Sequence, residues 1–266
     1  MKALWSIIFV AWFVGGFAAC AKPAGGPLAH TFDNTRIASV ALESKQAVAE
    51  AQQQYDLAVA QHRKADEAYA DSGVEQDVAA YQAERAVLVS QLVATRLNDK
   101  AQASTDTAAL ARQTAGAKVA FMGARRQWLE KLASSTLYAV YAAQAKLELE
   151  RARVAQAGNL NPAGFDVTVF EAQFAQRDRA AQTAAAETEK ERQAAEAKLT
   201  AWNELERSFM QASNMKTPSE SDRAVTDWKQ AAAPPPPPAE APVSASAPTP
   251  AAGTPAAGAA PPPAKP

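Results

Sequence analysis

The sequence predicts an all-α protein of long antiparallel coiled-coil hairpins followed by a disordered Pro/Ala-rich C-terminal tail. Three observations carry that expectation. Hydrophobic residues make up 48% of the 266 residues while aromatics are only 7%, so much of the apolar content is alanine. Alanine is the best helix former and a poor filler of thick cores. Small and apolar residues recur in alternating steps of three and four over long stretches, the rhythm of a helical seam. The chain holds one cysteine, so no intrachain disulfide framework can stand in for packing.

Residues 1–19 read as a leader. Met1-Lys2 supplies one positive charge, Leu4 to Val14 is apolar apart from Ser6, and Gly15-Gly16 precede Phe17-Ala18-Ala19-Cys20. A charged start, a short apolar core and a small-residue cleavage site describe an export signal rather than part of a fold. The segment resembles the bacterial lipoprotein signal, whose lipobox typically reads Leu, two small residues, then Cys. Ala18, Ala19 and Cys20 match, and Phe17 stands where Leu is usual. The resemblance implies cleavage before Cys20, an S-diacylglycerol on its thiol, an N-acyl chain on its new amino group, and attachment to a membrane through these lipids. Ala21, rather than Asp, after the acylated cysteine implies the outer membrane, facing the periplasm. Two other readings use the same residues: ordinary signal removal after Ala21, and retention of Ala3 to Ala19 as a spanning helix at the ~17-residue lower limit.

After the signal, 20–32 is a Gly/Pro-bearing, lipid-anchored tether and 33–213 a helical coiled-coil body. A polar linker, 214–230, carries Pro218 and an isolated Trp228, and 231–266 is the Pro/Ala-rich tail. The first seam of the body runs Ile37, Ala41, Ser44, Val48, Ala51, Tyr55, Ala58, His62, Ala65, Tyr69. It is expected to end at Asp71-Ser72-Gly73, where Ser72 and Glu75 form a capping box that starts a second helix. That helix carries Val74, Val78, Tyr81, Leu88, Leu92 and Val93 and weakens around Asn98 to Thr107. From Val119 a third helix, the most apolar, carries Phe121, Trp128, Leu132, Leu137, Tyr138, Tyr141, Ala145, Leu149 and Ala152 and stops at Gly158. A last helix begins near Pro162 or Asp166, with a seam from Phe170 through Arg177, Thr188 and Ala195 to Trp202 and Phe209.

Turns near 72 and 160 imply two hairpins. Folding the second about 161–162 sets Leu149 opposite Phe174, Trp128 opposite Ala195 and Phe121 opposite Trp202. Folding the first about 72–73 sets Val48 against Leu97 and Ala51 against Ala94. If 98–118 bends, the hairpins form a four-helix bundle; if it stays helical, they lie end to end as a rod. The wide apolar arc of the third helix calls for more than one partner and favours the bundle.

Chemistry is sparse. Removal of residues 1–19 leaves 26 basic and 28 acidic side chains, without the basic stripe expected of a nucleic-acid partner. His30 and His62 are the two histidines; His62 reads as a packed seam residue. No metal-binding, phosphate-loop or nucleophile-elbow motif occurs, so no catalytic, cofactor-binding or metal residue is assigned and no enzyme is expected. Glu187 to Arg192 reads as a solvated face, supported by pairs such as Lys146–Glu150 and Glu189–Arg192. Arg125-Arg126 beside Trp128 are too few for a lipid-headgroup site. Trp228 is a docking candidate. The tail favours extended polyproline II and could contact the cell wall or a proline-recognising module, with Pro234 to Pro238 as bait.

The function expected is that of a lipid-anchored cell-envelope scaffold or spacer with envelope proteins as partners, and its helix seams also suit a homo-oligomer. The alternatives are an accessory of an envelope export or efflux system, similar to the helical-hairpin adaptors, and a periplasmic holdase chaperone.

Overall fold

The computed structural model describes residues 26–96, 102–160 and 165–231. The expected signal, Cys20 as the expected lipidation site, the turn at 161–162 and the tail from residue 232 lie outside the described residues. Two 3-10 turns, Asn34–Ile37 and Leu42–Lys45, lead into helix α1, Gln46–Arg96; α2 is Gln102–Ala157, α3 Val167–Ala212 and α4 Glu220–Ala231. No strand occurs among the described residues. At 1.5 Å per residue, α1, α2 and α3 are about 77, 84 and 69 Å long. Contacts divide the chain into two units after Asp227, and α1, α2, α3 and all but the last turn of α4 belong to the first.

The all-α architecture of long antiparallel hairpins is as expected, but the first turn is not where the sequence pattern puts it. Helix α1 passes through Asp71-Ser72-Gly73 without a break. His62 Nδ1 meets Thr136 Oγ1 at 3.2 Å, Lys146 Nζ donates to Gln54 Oε1 at 2.8 Å, and Arg126 Nη1 donates to Gln76 Oε1 at 3.0 Å. Each pair is centred between residues 99 and 101, so α1 folds back onto α2 and not onto itself. Ala51 and Ala94 therefore lie far apart along one helix and are not neighbours, and Leu97, expected opposite Val48, lies outside the described residues. The two hairpins share α2: it packs along α1 on one side and α3 on the other, with no comparable contact between α1 and α3. Among the described residues, three long arms and a short fourth helix replace the four arms expected.

The reason lies in the seam. Ala51, Ala58, Ala65, Ser72 and Ala79 are all buried and stand seven residues apart, so the seam continues straight through the expected break. The observed register sets them level with Leu149, Ala142, Ser135, Trp128 and Phe121 of α2, also all buried. Ser72 opposite Trp128 and Ala79 opposite Phe121 are small-to-large pairings that fill a close helix interface. Inside the helix, the Ser72 hydroxyl donates to the Tyr69 carbonyl at 2.6 Å, satisfying itself without a cap. Gly73 lies beside Arg126, where an added Cβ would be in ordinary contact at 3.9 Å from the guanidinium, which sits over the Tyr69 ring.

The second hairpin has the expected register. Phe121 stacks on Trp202 with centroids 5.6 Å apart, and the Thr188 hydroxyl donates to the Lys131 carbonyl at 3.1 Å. Asp166 is the N-cap of α3, accepting from Thr168 N–H at 2.9 Å. At the end of α2 the left-handed residue is Asn159 (φ 52°) rather than Gly158, and Leu160 N–H closes back to the Ala155 carbonyl. Asn214 (φ 49°) ends α3 in the same way. Asparagine tolerates this region because its short polar side chain can bond locally.

Candidate functional site

The largest departure from the expected organisation is at the N-terminus. Residues 26–32, expected as free tether, form a strap docked on α2 and α3. The Arg177 guanidinium donates through Nη2 to the Gly26 carbonyl at 2.9 Å and lies over the Tyr141 ring at 5.6 Å. Gln173 makes a reciprocal pair with the backbone of His30, 3.0 Å in each direction. Phe32 N–H donates to Glu148 Oε2 at 2.5 Å, and Arg151 holds the other carboxylate oxygen at 2.6 Å. Phe32 and Ile37 then close an apolar core with Leu149, Ala152, Ala155, Val167 and Phe170.

The strap is held by side chains reaching for its backbone, so its own sequence needs little regularity. Glu148 and Gln173 are 6% and 8% exposed, and buried polar groups at such depth are costly unless hydrogen-bonded. In the docked state the strap backbone supplies the hydrogen bonds that Glu148 and Gln173 need at that depth. Arg177 is also buried, and its Nη1 has no hydrogen-bond partner among the described residues.

At the opposite end, the expected linker contains α4. Ser219 is its N-cap, accepting from Asp222 N–H at 3.1 Å, and the Glu206 carboxylate of α3 accepts from Ser221 N–H at 2.6 Å, Glu220 N–H at 3.2 Å and the Ser219 hydroxyl at 2.9 Å. Burial pushes the Glu206 pKa up, but the hydrogen bonds from Ser221, Ser219 and Glu220 outweigh it and hold the carboxyl below its ordinary value. Asn203 donates to both Ser221 and Asp222. Buried Lys118 of α2 joins four helices: it donates to Gln82 of α1 at 2.7 Å and to Glu220 of α4 at 2.6 Å, and sits 5.7 Å above the Trp202 ring of α3.

The other residues singled out in the sequence fall into structural places. His62 bonds Thr136 across the α1–α2 seam. Arg125 pairs with Glu75, and burial draws its pKa down against the pull of Asp227. Arg126 binds Gln76, so both arginines fasten α1 to α2. Glu189 and Arg192 pair as expected at 2.8 Å, whereas Lys146 bonds Gln54 and Glu150 pairs with Arg153. Trp228 lies in the last turn of α4 rather than in a linker. Among the described residues, no group of three or more His, Cys, Asp or Glu could hold a metal ion, and no helix is long and apolar enough to cross a membrane.

One surface stands apart. Val74, Val78, Tyr81 and Leu88 of α1 are 68%, 50%, 69% and 60% exposed. They are the residues that the sequence pattern assigns to the seam of a separate second helix. Compared with protein-family models, curated proteins and solved structures, the chain matches none.

Proposed function

We propose that the protein is a lipid-anchored scaffold of the bacterial cell envelope, tethered through Cys20 to a membrane, by its signal pattern the outer one, and exposing its helical body to envelope proteins in the periplasm. The observation that carries this reading is the strap. Gly26 is tied to Arg177, so only residues 21–25 separate an acylated Cys20 from the docked chain. Fully extended, the six steps from Cys20 to Gly26 reach about 20 Å. A lipid at Cys20 would therefore hold a helical body about 84 Å long close to its bilayer, as a spacer or clamp requires and a long free leash would not allow. One open groove runs between Gln82, Arg85 and Val89 of α1 and Ala108 and Ala111 of α2, which suits an elongated partner.

The test is the intact mass of the mature chain recovered from membranes. A chain beginning at Cys20 and carrying a diacylglyceryl and an N-acyl group is expected, and Cys20→Ser moves the protein out of the membrane fraction. An unmodified chain beginning at Lys22 contradicts the anchor. Crosslinking in intact cells then separates the scaffold, with structural envelope proteins as neighbours, from an export accessory, with transport components beside it.

A further inference from the structure

We propose that the exposed apolar stripe of α1 is a contact surface between two copies of the chain, which pair antiparallel about residue 83. The stripe follows a strict order: Val74, Val78, Tyr81, Arg85, Leu88 and Leu92 are spaced by four, three, four, three and four. Such spacing is the a/d pattern of a coiled coil, and it lies on a different face from the alanine seam that α2 covers. It is also bounded. The same line toward the N-terminus carries Lys64, Glu67 and Asp71, and toward the C-terminus Thr95, so it switches from charged to apolar at Val74.

The order of residues suits a second copy. Read from residue 83 outward, the stripe is symmetric: an antiparallel partner sets Val78 against Leu88, Val74 against Leu92, and Tyr81 against Arg85. The polar member therefore meets an aromatic face, a favourable cation–π arrangement. The same register brings each Arg85 beside Glu84 of the other copy. The flanking residues Asp71, Asp77 and Glu84 are acidic, whereas a helix that lies on a membrane carries Lys and Arg on its polar flank, so a lipid surface is not the occupant. The exposed side chains, with the stem of Arg85, supply on the order of 600 Å² per copy, or about 1,200 Å² for the pair, the lower edge of stable interfaces. This inference does not depend on the anchor.

Cysteine crosslinking of the full chain tests it, in a Cys20→Ala background that removes the native thiol. Differently tagged Val78→Cys and Leu88→Cys chains should form a disulfide when mixed and none when kept apart. Crosslinking of either variant with itself, or a chain without crosslinks that sediments as a monomer, overturns the proposal. Tyr81→Glu, on the exposed surface, should weaken self-association about tenfold or more with helix content by circular dichroism unchanged. Association untouched by Tyr81→Glu overturns the proposed surface as well.

Discussion

The inner and outer faces of α1 obey the same spacing rule and are built from opposite residues. The inner face is small, Ala51, Ala58, Ala65, Ser72 and Ala79, and is buried against α2. The outer face is large in its C-terminal half, with Val74, Val78, Tyr81 and Leu88 half or more exposed. Within a single chain, the side with little apolar surface is covered and the side with more is not. Covering the alanine face works because α2 brings the bulk: Trp128 and Phe121 stand level with Ser72 and Ala79. A shift of apolar residues from one stripe to another thus marks a change of partner as readily as a change of helix.

The sharpest contrast comes from α3, which brings its own large residues. Trp202 is 1% exposed and stacked on Phe121, so Trp202→Ala should cost about 3–5 kcal/mol in denaturant unfolding. On the inner face of α1 the damage comes from adding volume. Ala79→Leu, level with Phe121, should cost about 1–3 kcal/mol, and a neutral result would mean that the alanine seam is loosely packed. Two serines sharpen the point further. Ser219→Ala removes a working N-cap and should cost about 1 kcal/mol, while Ser72→Ala, which loses only a hydroxyl bonded back to its own helix and gains helix propensity, should stay within about 0.5 kcal/mol. Smallest of all, Val78→Ala on the outer face should leave the unfolding of the single chain within about 0.5 kcal/mol while weakening pairing between copies.

Acid offers an independent route to the α4 end. The carboxyl of Glu206 is held below its ordinary value in the folded chain, so the unfolded state binds the proton first on acidification. Its contribution is fully present above the ordinary glutamate range and is lost as pH falls through the lowered folded value. Protection of the Ser221 and Asp222 amides against hydrogen exchange, taken relative to the intrinsic rate at each pH, should therefore fall at acid pH well before the α1–α2 seam loses protection, and Glu206→Gln should weaken that dependence. Protection that falls equally in both regions would count against a separate α4 clasp.

Much of the fold is legible in the sequence where large side chains set the packing. The α2–α3 register, with Phe121 on Trp202, follows from the heptads; the start of α3 is legible only as near Pro162 or Asp166, and the wide apolar arc of α2 calls for the more than one partner it has. The misplaced first turn has a definable cause. Ser72 and Glu75 match a capping pattern, but the rhythm from Tyr69 continues through Ser72, Gln76, Ala79, Ala83 and Ala86 in residues too small or too polar to register as a seam. The same pattern at Ser219 and Asp222, directly after Pro218, does start a helix, and there no seam runs across it. The strap leaves no local signal, since its partners Arg177, Gln173 and Glu148 bind backbone more than a hundred residues away.

The continuity of α1 is the premise of both faces, and a distance along it tests that premise directly. Spin labels at Leu57 and Leu88, both exposed, in chains diluted with unlabelled protein, should lie about 46 Å apart if the helix runs unbroken. A separation near 10 Å, as in a hairpin folded at 72–73 with its arms in contact, would contradict the account.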